Sequence, residues 1–185
     1  MKPRLSAFFL CASLALAVQA RATILPDACG DDKVKFDVST KASKQPPAAA
    51  PDGKAQIVFI EDENSKLDSF HSATTRFGVD GTWVGANYSD SYFTVNVDPG
   101  VHHVCGNIQA SALWFGLFKK AVDMATFTAE AGKVYYFTAT VNVTRNGGSG
   151  ADENRDFKFG FSQVNEDEGK YRVKAFKLST WTTNK

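Results

Sequence analysis

The residues of this 185-residue chain that could do chemistry are three histidines, three cysteines and two acidic clusters. His102 and His103 are neighbours, and His71 stands apart from them. A nucleophile, base and orienter must converge, yet neighbouring residues on a strand point to opposite faces. The pair therefore fails as a catalytic dyad. It fails as a metal pair for the same reason, and its spacing matches no zinc signature. One of the two rings is expected to pack or hydrogen-bond at a sheet edge. Glu61-Asp62-Glu63 and Glu166-Asp167-Glu168 read as solvated loop charge and as helix N-terminal charge that complements the helix dipole, not as a calcium site or acid/base dyad. Gly147-Gly148-Ser149-Gly150 lacks the following Lys-Ser/Thr of a phosphate cradle. No catalytic, cofactor-binding or metal-binding residue is assigned, and a non-enzyme is expected.

The cysteines carry the firmest reading. Lys2 and Arg4 precede an uncharged apolar run over residues 5–18, and Val18-Gln19-Ala20 places small residues where signal peptidase needs them. Residues 1–20 thus read as a secretory signal peptide, with cleavage after Ala22 as the alternative. Cys11 follows Phe8-Phe9-Leu10 instead of small residues, so it belongs to the apolar run and not to a lipidation site. Only Cys29 and Cys105 then remain, and in an oxidising compartment two cysteines imply a disulfide. Losing Lys2 and Arg4 turns the formal charge from +1 to −1, a balance that invites neither nucleic acid nor acidic lipid.

Aromatic residues offer a second kind of chemistry. Trp83, Tyr88, Tyr92 and Trp181 could form a stacking platform for sugar, or they could cap the sandwich and fill cross-strand pairs. Residues 111–120 read S-A-L-W-F-G-L-F-K-K, setting Leu113, Trp114, Phe115, Leu117 and Phe118 where loops are usually polar. Exposed, these five would mark an interaction patch for a partner or a peripheral membrane contact. Folded back, they would cover an open end of the core.

The elements that must position these residues are strands. Val34, Phe36 and Val38 alternate with charged neighbours, and residues 55–60 form a continuous apolar run suited to a strand covered on both faces. Between them, residues 41–54 are rich in proline and alanine and read as a solvated linker. Asp80-Gly81 tolerates the positive φ angles of a type I′ hairpin. Asp98-Pro99-Gly100 turns the chain after residues 91–97, and residues 101–109 are expected to run back as the partner strand. Further strands are expected over 122–129, 134–144 and 157–162. Asn165 followed by Glu168 has the form of a capping box, which predicts a helix from Glu166 to about Phe176, with a strand as the alternative because Tyr171, Val173 and Ala175 also alternate.

Taken together, Val79-Asp80-Gly81 with Gly85, Pro99-Gly100 with His102, and Ala131-Gly132 with Tyr135-Tyr136-Phe137 resemble the bacterial domain-of-unknown-function 2846 family. Glu168-Gly169 and Lys177-Leu178-Ser179 fit that family's ending, and the Pro-Gly-x-His turn is similar to PEGA-type sandwich domains. The resemblance spans residues 55–179 and implies an exported small β-sandwich with no established activity. The Cys29/Cys105 pair and the apolar 112–118 loop depart from the pattern. The expectation is an all-β antiparallel sandwich of about eight or nine short strands with one short C-terminal helix. It comprises a 1–20 signal peptide, a 21–54 leader with one strand and a Pro/Ala-rich linker, and a 55–185 sandwich domain. Its expected role is that of a non-catalytic interaction or structural module in the periplasm or outside the cell, meeting an envelope protein or a glycan. The alternative is a carbohydrate-binding module.

Overall fold

Ten strands and one helix are laid out by alternation and turn chemistry in a computed structural model that describes residues 27–43, 47–62, 74–109, 121–145 and 155–184. The strands are β1 (Lys35–Lys41), β2 (Ala55–Asp62), β3 (Thr74–Val79), β4 (Thr82–Tyr88), β5 (Ser91–Val97), β6 (Gly100–Gln109), β7 (Val122–Ala129), β8 (Val134–Arg145), β9 (Arg155–Val164) and β10 (Lys177–Asn184); helix α1 is Glu166–Ala175. One sheet has six strands in the order β1-β10-β5-β2-β8-β9, and the other has four in the order β4-β3-β6-β7. The fold is an all-β sandwich with one short C-terminal helix. The larger sheet is mixed, because β2 runs parallel to β8 and β10 runs parallel to β5.

β2 is buried along nearly its whole length because both of its faces are covered. Ile57 and Phe59 face the smaller sheet, whereas Val58 and Ile60 face the helix side. The register sets Phe93, Phe59 and Phe137 side by side across β5, β2 and β8. Phe77 of the opposing sheet stacks 4.9 Å from Phe59, and Phe161 lies 5.6 Å from Phe137. The core is thus a phenylalanine lattice in tilted, stacked and edge-on contacts.

The Asp80-Gly81 turn is the expected type I′ hairpin, with φ of 48° and 81° at its two residues. The second turn corrects the sequence expectation. β6 pairs with β3 and β7, not with β5. Asp98-Pro99-Gly100 is therefore an arch that carries the chain from one sheet to the other. β2 takes one edge of β5 along its whole length, and β10 takes the other edge at Ser91 and Tyr92. The tenth strand, β10, also lies outside the expected set; its KLSTWTTN run supplies β-branched threonines with little apolar alternation.

Asn165 caps α1 as expected, its side chain accepting from the Glu168 N–H at 2.9 Å. Glu166, Asp167 and Glu168 occupy the first turn and Arg172 and Lys174 the last, both favourable to the helix dipole. The helix lies on the outer face of the larger sheet. Gly169 permits this, because a Cβ there would sit 2.2 Å from the Tyr136 ring.

Candidate functional site

The histidines are structural fasteners between the two turns. His102 lies on β6 with Nδ1 2.6 Å from Asp80 Oδ2 and Nε2 2.8 Å from the Asp98 carbonyl. Both partners offer acceptor oxygens, a setting that stabilises the doubly protonated ring. Burial by itself would lower the His102 pKa; the hydrogen bonds and charge of Asp80 and Asp98 outweigh it, and the pKa is raised. Asp80 is the reciprocal case. Its desolvation would raise its pKa, but the His103 backbone N–H and the His102 ring hold it below the ordinary carboxylate value. His103 turns the other way, to Thr126 Oγ1 at 3.0 Å. The opposed directions expected of two adjacent strand residues are what the structure has.

Cys29 and Cys105 are joined in a buried disulfide, Cα atoms 5.3 Å apart. Around it residues 27–34 form a strap across the outer face of the smaller sheet. Trp83 Nε1 donates to the Asp31 carbonyl at 2.7 Å, and Arg76 Nη1 donates to the carbonyls of Val34 at 2.6 Å and Asp32 at 3.2 Å. Arg76 Nη2 donates to Asn107 Oδ1, and the guanidinium lies 4.5 Å from the centre of the Trp83 ring. Desolvation lowers the Arg76 pKa to about 10 against the opposing charge of Asp32. Sequence reasoning did not single out Arg76, which alternation with Phe77 turns to the outer face of the smaller sheet, where the strap covers it.

The four aromatic candidates do not come together as a platform. Tyr92 is 1 % exposed and packs with Val58, Ile60 and Tyr136; Trp181 packs on Phe93 at 4.7 Å, and Trp83 belongs to the disulfide cluster. His71, Glu63, the 147–150 loop, and Leu113, Trp114, Phe115, Leu117 and Phe118 lie outside the described residues, as do residues 1–26 and 44–46.

Among the described residues, a groove of about 820 Å³ on the outer face of the larger sheet has room for a ligand. Its floor comes from Gln56 and Val58 of β2 and Val134 and Tyr136 of β8, the residues whose alternation turns them away from the smaller sheet. One wall is α1, through Lys170, Val173 and Lys174, and the other is the proline-alanine segment, through Pro47 and Ala49. Gln56 Nε2 fixes that second wall by donating to the Ala48 carbonyl at 2.7 Å. This part of the 41–54 segment therefore packs on the sheet. Burial raises the Tyr136 pKa and keeps its phenol protonated. Lys170 pairs with Glu166 at 2.5 Å, while Arg172 is committed to Asp62 at 2.9 Å and Glu168 at 2.7 Å. An apolar floor, a neutral phenol and cationic rims can bind; none of them is arranged as nucleophile and base. No family model, curated protein or solved structure matches the chain.

Proposed function

We propose that the chain is an exported, non-catalytic β-sandwich that serves as an interaction module in the bacterial envelope. The observation that carries this reading is the buried Cys29–Cys105 bridge, which fastens the strap to the sheet in a way suited to an oxidising compartment. The groove supports the binding role, since ligand sites are concave, largely apolar and of roughly 300–1,000 Å³. The use of both His102 nitrogens to tie turns together supports a non-catalytic role. The signal peptide, the likeness to the domain-of-unknown-function 2846 family, an envelope protein or glycan as partner, and a membrane contact through residues 111–120 all belong to this proposal.

Expression of the whole chain in a Gram-negative host tests it. The expected product is periplasmic, begins at Arg21 and has no alkylatable thiol before reduction. A cytoplasmic product that retains residues 1–20 and two free thiols at Cys29 and Cys105 would overturn the reading.

A further inference from the structure

We infer that the groove between α1 and the proline-alanine segment is a site for a long-chain carboxylate, apolar tail on the sheet and carboxylate at the helix lysines. The inference rests on the interaction-module reading and names the chemistry its site would take. Shape comes first. Val134 of β8 and Val173 of α1 present branched aliphatic surface over the buried Val58, and Pro47 and Ala49 add apolar surface from a third segment, so the lining suits an alkyl chain better than a sugar or a folded peptide. Burial of such a chain is favourable in proportion to the apolar area removed from water. Where the floor meets the helix wall, Tyr136 packs directly against Gly169 of α1.

Charge supplies the polarity of binding. Among the described residues, the lining includes Lys170 and Lys174 and no Asp or Glu. Lys170 is engaged by Glu166, but Lys174 has no ion-pair partner among the described residues. The two lysines are one helical turn apart and so share a face of α1. An anionic head group at Lys174 leaves the tail to lie over Val134, which is 38 % exposed at the open side of the groove. A cationic amphiphile would meet like charge there, and a short carboxylate would forgo the apolar floor.

The experiment is a titration of purified mature protein with cis-parinaric acid, followed by competition with palmitate, butyrate and cetyltrimethylammonium. Saturable one-to-one binding is expected, displaced by palmitate and not by the other two. Lys174→Glu and Val134→Glu should each weaken binding by about tenfold or more, because a like charge against a carboxylate ligand costs more than loss of a rim contact. Wild-type NMR gives a readout independent of variant folding, with palmitate shifting the methyl signals of Val58, Val134 and Val173. Absence of saturable binding overturns the inference, as does equal displacement by the cationic amphiphile, or binding that leaves these methyl signals unmoved. Because the protein is purified, failure here is distinct from failure of the export test, which is read from cell fractions.

Discussion

His102 occupies a site where two turns approach each other, and its titration links them. Its folded pKa is raised, so its contribution to stability is whole below the pKa of an unfolded histidine and is lost as pH rises through the folded value. Asp80 has a lowered pKa, so its contribution is whole above the unfolded aspartate value and is lost as pH falls through the folded one. The clasp is therefore strongest between the two. With 46 % of the Asp80 side chain exposed, solvent screening keeps the effect to about 1 kcal/mol. Urea unfolding across pH is expected to show a stability loss on the alkaline side of the unfolded histidine pKa that His102→Gln removes; an unchanged alkaline limb in that variant would refute the clasp. The turns themselves were legible in the residues, because Asp80-Gly81 and Pro99-Gly100 have local backbone requirements. That His102 joins them was not legible, since it depends on the arch bringing β6 beside β3.

Among the elements, α1 shows how local and non-local signals divide. Its start was readable from Asn165 and Glu168, whose capping geometry is local. Its docking was not, because Gly169 matters only where Tyr136 lies beneath it. In an isolated helix Gly169→Ala would stabilise by about 1 kcal/mol. Here the new Cβ must displace the Tyr136 ring or lift the helix, and overpacking of that kind costs about 1–3 kcal/mol. Gly169→Ala is expected to lower the melting temperature, whereas Tyr171→Ala, at a position 73 % exposed, should leave it nearly unchanged. Equal melting of both variants would mean that α1 is not tightly seated. The groove follows the same logic. Its lining comes from β2, β8, α1 and the residues Ser43, Pro47 and Ala49, and no window of sequence contains more than two of these. The proline-alanine segment has no periodicity to announce that Gln56 holds it against the sheet.

At the scale of the whole molecule, the strap and the sandwich flanks hold the two sheets together. On one flank the Gln109 side chain of β6 accepts from the Phe36 N–H at 2.7 Å and donates to the Phe36 carbonyl at 2.9 Å, clipping the smaller sheet to β1. On the other, Asp123 Oδ2 of β7 accepts from the Phe161 N–H of β9 at 3.1 Å. The strap crosses from the disulfide to β1, which then pairs residue by residue with β10. Cross-linking positions 76 residues apart stabilises by about 4.5 kcal/mol in the chain-entropy model. Replacing both cysteines by serine should therefore cost at most about that much. The strap would keep its hydrogen bonds to Trp83 and Arg76, but those bonds close only after the strap has found the sheet. Hydrogen exchange is thus expected to quicken over residues 27–34 and in β1, while β2 and β8, paired on both edges within the larger sheet, retain slow exchange relative to the strap. Uniform loss of protection would show that the bridge supports the whole sandwich cooperatively, and unchanged exchange in the strap would show that Arg76 and Trp83 suffice without it. Either pattern would reject the disulfide as a local fastener, which is the role that its position between leader and sheet assigns to it.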